Sequence, residues 1–566
     1  MEDLSVVFSS LSHLKERCYS MLLEAPTYLQ LNPLATNYGQ QKEKGWKGLT
    51  EDGEERNMPR MSRKGVYAQE HKEEGKVMEP LLRLSHLTLS QLESHLWKAA
   101  DILRGSVPAA DYKRYILPLL FLKRISDRYD EEAEKGLPHQ FEVPKEAHWQ
   151  VIDRCTDDLG QAINKALEAL EAANPSLKGV LARTNFADHH RLPLDVLRRL
   201  VNHFSAISLR DEDFAEPDLL GRAYEYLLKQ FAEHEGRRGG EFYTPREVVR
   251  LMVGILEPKE GMSICDPMCG TGGMLLECAL FVKRNGGDPQ KLILHGQEKN
   301  PDVWAMCKMN MLLHGLHHAR IELGDTIREP KLVENGKLIT YDIVIANPPF
   351  SLKEWGDDFA VRDPFRRFRY GIPPKSFGDF AFIQHMIAIL KPTGKMAVVT
   401  PHGVLFRSNS EAQIRKGIVD DDLLEAVIGL PDKLFYNTGI PAAILVINKA
   451  KPEERKRKVL FVDASKGYEE RRNQNVLREE DISRVVEAFK TFRDQAGYSR
   501  VVSIEEIMRN GYNLNISRYV LPSTEEEDSD LREVWDELKA IDRERANLIS
   551  QLERVMKILL ERGSGQ

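Results

Sequence analysis

The chain has 566 residues, of which 42% are hydrophobic and 30% charged, and its formal net charge is −7. That length provides for two to four domains, and the acidic balance argues against a chain that wraps a long nucleic acid unaided, because phosphate neutralisation by Lys and Arg supplies most non-specific affinity. No run approaches the ~20 apolar residues of a membrane span, the N-terminus lacks a basic-then-apolar secretory pattern, and six cysteines in so long a chain do not read as a disulfide framework, so a cytoplasmic location and no membrane contact are expected.

Residues 1–77 are charge-dense and weakly periodic, which reads as disorder: a dispensable extension, a misassigned start, or a small docking segment. Periodicity begins at Ser90. Ser90 and Glu93 have the spacing of a capping box, Leu92, Leu96, Ala99, Ala100 and Leu103 follow at helical intervals, and Gly105 closes the helix. Further helices are predicted over 111–130, 161–173, 193–204 and 218–232, so residues 78–235 form an α-helical domain. A Gly-Arg hinge at 235–241 leads into Phe242-Tyr243-Thr244-Pro245, where Thr244 is expected to cap a helix running to Leu256. That helix start, with its aromatics, is a suitable seat for a charged, ring-bearing cofactor.

A strand, glycine-rich turn and helix come next: Met262 to Cys265, then Asp266-Pro267-Met268-Cys269-Gly270-Thr271-Gly272-Gly273, then 274–283. The glycines permit close approach of backbone to ligand. The following strand ends at Glu298, placed to meet ribose hydroxyls, and a third delivers Asp325 toward an adenine amino group. A dinucleotide is the competing reading, but the third fingerprint glycine is missing and Asp266 would repel a pyrophosphate. A carboxylate there favours the cationic tail of S-adenosylmethionine. His314, His317 and His318 follow a helix end, where imidazole favours the helix dipole, and no metal site is expected.

Tyr341 to Ala346 is a buried parallel strand that stops at Asn347-Pro348-Pro349-Phe350. An amide oxygen, a carbonyl held by prolines and a flat ring suit an exocyclic amino group on a planar base. The tetrapeptide resembles the catalytic motif of amino-group methyltransferases acting on adenine N6, cytosine N4 or glutamine. The segment 351–378 is long and irregular, with Trp355, Phe365, Phe368 and Tyr370 among Arg362, Arg366, Arg367 and Arg369, a mixture suited to phosphates and unstacked bases or else a solvated charge run. Helix 379–390 and strands 396–400, 426–430 and 442–448 follow, the last antiparallel. Residues 451–521 read as a mixed tail with a helix at 481–492. Within 522–566, Leu531, Val534, Leu538, Ile541, Leu548, Leu552, Val555 and Leu559 keep a heptad stripe suited to a coiled-coil partner.

Together, the phrases at 96–105 and 112–117, Phe242 to Pro245, Asp266 to Gly273, Glu298, Asp325, Asn347 to Phe350 and Pro401 to Phe406 resemble the modification subunit of type I restriction-modification enzymes. The resemblance implies an α/β fold, a seven-stranded doubly wound Rossmann-like sheet over 236–450, with a helical domain before it and a helical tail after it. It implies an N6-adenine DNA methyltransferase using S-adenosylmethionine, with cofactor contacts at Glu241, Phe242, Tyr243, Thr244, Pro245, Arg246, Asp266, Thr271, Gly272, Gly273, Glu298 and Asp325, and catalysis by Asn347, Pro348, Pro349 and Phe350 on a flipped adenine. Its partners would be double-stranded DNA, a specificity subunit flanked by two modification subunits, and a restriction subunit that supplies the nucleotide-driven steps. The alternative is a stand-alone enzyme methylating cytosine N4 or protein glutamine.

Overall fold

The computed structural model describes residues 86–216, 218–234, 243–435, 439–471, 474–521 and 531–563. The expectation for residues 1–77, and Glu241 and Phe242 of the cofactor set, lie outside the described residues.

Six helices come first: α1 (Leu89–Leu103), α2 (Tyr112–Glu134), α3 (Trp149–Asp153), α4 (Leu159–Ala173), α5 (Leu194–Ser205) and α6 (Leu219–His234). The box that starts α1 is two residues earlier than expected. Thr88 is extended and its hydroxyl accepts from the Gln91 amide, while Gln91 Oε1 accepts from the Thr88 amide at 3.0 Å. Ser90 already lies inside the helix, where its side chain has no free amide to cap. The α1 stripe of Leu92, Leu96, Ala99, Ala100 and Leu103 is buried as its spacing predicts.

The second part is an α/β sheet of nine strands: β1 (Ser263–Asp266), β2 (Ile293–Glu298), β3 (Arg320–Leu323), β4 (Tyr341–Ala346), β5 (Leu390–Pro401), β6 (Leu424–Gly429), β7 (Ala442–Asn448), β8 (Lys458–Asp463) and β9 (Ser499–Ser503). Their order is β9-β8-β6-β7-β5-β4-β1-β2-β3. β1 to β5 are mutually parallel where they pair, and β7 is antiparallel to both β5 and β6. Seven strands were implied. The two extra are β8, parallel to β6, and β9, antiparallel to β8. Val459, Leu460, Phe461 and Val462 are fully buried, and a run apolar on both faces needs sheet neighbours and helices around it, so the sheet extends through what read as a mixed tail.

Alternation along β4 shows the double winding. Ile343 and Ile345 pack with α7 (Arg246–Leu256), α8 (Gly273–Arg284) and α13 (Glu479–Thr491), whereas Val344 and Ala346 pack with α11 (Asp379–Ala388) and α12 (Ser410–Asp420). Between these lie α9 (Pro301–Leu313) and the short α10 (Asp357–Ala360), and α14 (Ile504–Arg509) and α15 (Leu531–Gly563) complete the chain. On α15 the stripe residues Leu538 and Ile541 are 52% and 49% exposed. Among the described residues no helix is long and apolar enough to cross a membrane.

Candidate active site

β1, β2 and β3 step outward in one direction, and the chain then returns to place β4 on the other side of β1. The C-terminal ends of β1 and β4 therefore border the switch point of the sheet, where open α/β folds leave a crevice. Asp266 ends β1, Glu298 ends β2, Asp325 lies just past β3 and Asn347 just past β4. A cleft of about 570 Å³ opens there, lined by Tyr243, Thr244, Arg246, Asp266, Thr271, Gly273 and Asn347 of the predicted set, and by Glu225, Val249, Met268, Cys269, Gly270, Met274 and Glu277. Pro245 starts α7 beside it, and Gly272 starts α8.

The glycine turn is shaped for close approach. Gly270 and Gly272 have φ of 52° and 84°, and a Cβ on Gly272 would lie 2.8 Å from both Cys307 Sγ and Met311 Cε. At Gly273 a Cβ would meet nothing within 4 Å, leaving open the space before the helix start. The Gly270 amide donates to Glu298 Oε2 at 3.0 Å and the Asn300 amide to Glu298 Oε1 at 2.7 Å, so this carboxylate is fixed in direction. Asn310 Nδ2 donates to the Thr271 carbonyl at 2.9 Å.

Burial, with the nearby Glu298 charge, pushes Asp266 up to about 8. Glu298 is likewise raised by burial, against the amides that favour its charged form. Asp325 moves the other way: burial alone would raise it, but Lys299, 2.8 Å away, and the Arg328 and Ile327 amides outweigh that and hold it below the usual carboxylate range.

Thr244 does not cap α7, which has no side-chain cap. Pro245 occupies the cap position, so the Thr244 hydroxyl is free to turn toward β4, where it accepts from Asn347 Nδ2 at 3.0 Å. The other half of that amide, Asn347 Oδ1, is buried with no hydrogen-bond partner. Pro348 is buried, and Pro349 and Phe350 are half-buried. The Phe350 ring stands edge-on to Phe435 with centroids 5.7 Å apart. Just beyond, the Ser351 amide donates to Asp379 Oδ1 at 2.8 Å, and Arg407 bridges Asp379 Oδ2 at 2.9 Å to Ser351 Oγ at 3.2 Å. This buttress held no signal in the sequence, because its members are 28 and 56 positions from Ser351.

The segment after the motif is not one cationic patch. The Arg367 side chain is 0% exposed and pairs with Asp363, itself 3% exposed, while donating to the Thr326 and Ile327 carbonyls. Trp355 is buried, with its indole N–H on the Pro374 carbonyl at 3.0 Å. Arg369 stacks on Tyr370 and pairs with Asp421. Arg362 and Arg366 are exposed and pair with no carboxylate among the described residues. Two of the three histidines are engaged locally: His314 Nδ1 faces the Asn310 carbonyl at 3.0 Å, and His317 packs against Gln140 and Phe141. Among the described residues no group of three or more His, Cys, Asp or Glu side chains is placed to hold a metal.

Sequence reasoning passed over Glu225. It lies one turn from Gly221 and Leu228 on the buried face of α6. A carboxylate within an apolar helical stripe was the available signal.

Two family models match the chain: N-6 DNA Methylase over residues 215–528 and HsdM N-terminal domain over residues 92–204. The methylase subunit of the type I restriction enzyme MjaVII from Methanocaldococcus jannaschii is 35% identical over 513 residues, covering 84% of this chain and 86% of the relative. The HindI methylase subunit from Haemophilus influenzae is 33% identical over 73% of this chain and 98% of its own. A crystal structure of a type I restriction-modification methyltransferase subunit from Streptococcus thermophilus superposes with a TM-score of 0.69 at 30% identity, over 77% of this chain and all of that one. The chain belongs to the N-6 DNA methylase family, as a type I restriction enzyme methylase subunit and N6-adenine DNA methyltransferase.

Proposed function

We propose that the chain methylates N6 of an adenine turned out of duplex DNA, with S-adenosylmethionine as donor and a separate subunit choosing the DNA sequence. The observation that carries the reading is the Asn347 amide. Its Nδ2 is held by Thr244 and its Oδ1 is buried without a donor, and an unsatisfied buried acceptor beside a cleft is costly unless a ligand brings the missing N–H. An exocyclic amine brings two, one for Asn347 Oδ1 and one for the Pro348 carbonyl. Accepting both draws the nitrogen toward tetrahedral geometry and exposes its lone pair, so placement and electrostatics suffice without a strong base. Phe350 offers a flat face to the base.

The cleft suits the donor. Gly270 and Gly273 line it with little bulk, and Asp266 places a carboxylate where positive charge is wanted; Glu298 and Asp325, outside that lining but at the same edge of the sheet, are assigned to the ribose hydroxyls and the adenine amine from their places after β2 and β3. Tyr243 to Arg246, Thr271 and Gly273 complete the walls, and Glu241 and Phe242 extend that set in sequence. When bound, S-adenosylmethionine would supply an electrophilic methyl on positive sulfur, while Asn347 Oδ1 and the Pro348 carbonyl would hold the amine's two N–H groups and its surplus proton would pass to water.

DNA and the partner subunits rest on family membership and on two surface features. Arg362 and Arg366 supply exposed cations after the motif, and α15 exposes Leu538 and Ile541 in a heptad register suited to helices of a specificity subunit. The test is a labelled-methyl transfer assay on DNA with the chain alone and co-expressed with a specificity protein, with N6-methyladenine identified by mass spectrometry. Methylation requiring the partner, and lost in Asn347→Ala while calorimetry still detects cofactor binding, is the expected result. Turnover by Asn347→Ala would overturn the assignment.

A further inference from the structure

The cleft has a wall that comes from the helical part of the chain. Glu225 of α6 lines it together with Arg246 of α7. The two side chains face each other with Arg246 Nη2 3.9 Å from Glu225 Oε2, too far for a hydrogen bond. Among the described residues no hydrogen bond to the Glu225 carboxylate is formed, and Arg246 is its only ion-pair partner. The other carboxylates here are better satisfied: Glu277 is paired with Arg284, and Asp266 Oδ1 accepts from the Met268 amide at 3.1 Å. Burial raises Glu225, and His314 and Arg246 oppose that rise only in part. Asp218, just before α6, and Glu277 add like charge. Glu225 is therefore a half-satisfied carboxylate, held beside a guanidinium at a spacing too loose for either to be content with the other.

A carboxylate and a guanidinium that face the same space without closing on each other are the mirror image of an amino-acid zwitterion. Arg246 can take a carboxylate in its planar fork, and Glu225 can accept from an ammonium.

Resting on the cofactor reading above, we propose that Glu225 binds the α-ammonium group of the cofactor's amino-acid end while Arg246 binds its carboxylate. The helical layer thereby reads the tail of the cofactor, and the sheet reads its nucleoside.

The experiment is calorimetry on the full chain, wild type against Glu225→Gln and Glu225→Asp, with four ligands. S-adenosylmethionine and S-adenosylhomocysteine carry the whole amino acid. Decarboxylated S-adenosylmethionine keeps only the ammonium, and 5′-methylthioadenosine has neither group. Loss of one charge-assisted hydrogen bond predicts that Glu225→Gln weakens the first three by about tenfold to a hundredfold and leaves 5′-methylthioadenosine unchanged. Glu225→Asp, which keeps the charge on a shorter stem, recovers part of the loss. Unchanged binding of the first three, or an equal loss for all four, overturns the proposal, the second because it marks a damaged cleft. A wild-type chain that binds none of the four overturns the cofactor reading itself.

Discussion

Arg367 is the residue whose removal has the most calculable effect. Its guanidinium contacts Asp363 through Nε at 3.1 Å and Nη2 at 2.9 Å, reaches the Ile327 carbonyl at 2.6 Å and the Thr326 carbonyl at 3.0 Å, and meets His385 Nδ1 at 3.1 Å. Burial, with the Arg367 charge beside it, holds His385 well below its usual range, so the imidazole is neutral and can accept. Phe359, Phe365 and Phe368 enclose the cation within 6 Å. Arg367→Met keeps much of the stem's packing but strands the Asp363 carboxylate, and breaking a buried pair in this way costs about 3–5 kcal/mol. The loss falls on local opening of the segment around 356–371 rather than on the whole sheet. At about 1.4 kcal/mol per decade, the Arg366 and Gly371 amides, which donate to the Asp363 and Phe368 carbonyls, should exchange with deuterium roughly a hundredfold to several thousandfold faster by mass spectrometry. Asp363→Leu combined with Arg367→Met leaves no unpaired charge and should recover at least half of that loss. Exchange within threefold of wild type in the single variant, or a double variant no slower than the single, would refute the reasoning.

Thr244→Val removes the acceptor of Asn347 Nδ2, so the amide can turn its oxygen away; methyl transfer should fall about tenfold, the equivalent of one net hydrogen bond, and by more than cofactor affinity measured by calorimetry. Gly272→Ala meets Cys307 and Met311 at a φ of 84° and should lower both the melting temperature and cofactor affinity, whereas Gly273→Ala should lower affinity alone; equal melting temperatures for the two variants would count against the geometry. For pH, Asp266 keeps its proton up to about 8 in the folded chain but only to about 3.9 when unfolded, so the folded state holds the extra proton between those values and ligand-free stability falls as pH rises through that window. Cofactor affinity runs in the opposite sense, rising from pH 6 toward 8 as the carboxylate charges; a titration series in which Asp266→Asn keeps the same slope would reject this assignment.

What could be read from the sequence was what local physics determines. The β4 strand, the glycine turn and the Asn-Pro-Pro-Phe tetrapeptide are contiguous, and each announces itself through burial pattern, φ requirement or proline. Their order carried the resemblance to the family, and the α/β class was what that resemblance implied. Thr244 was read for the local role its neighbours suggested. Pro245 takes the cap position in its place, and the threonine's partner lies on β4, 103 positions away. The arginines after the motif read as equivalent because sequence carries charge but not depth. Only the fold separates Arg367, closed in by three rings and an aspartate, from Arg362 and Arg366 on the surface. β8 was missed for a related reason: a four-residue apolar run without a flanking motif has no signature until the neighbouring strand is known.

The sulfur chemistry of the glycine turn gives the protein its own reporter. Cys269 Sγ lies 3.8 Å from Cys307 Sγ, joining the turn to α9, and Cys265 and Cys278 are buried nearby. The Cys269 hydrogen bond with Cys307, together with burial, pushes the Cys269 thiol far up, and burial does the same to Cys265. Buried, protonated thiols are inert to electrophiles. Of the described cysteines only Cys155 is partly exposed. A thiol reagent added to the native chain will therefore modify Cys269 only as often as the turn lifts off α9. The rate of that slow labelling, followed with and without cofactor, measures how tightly ligand binding latches the loop.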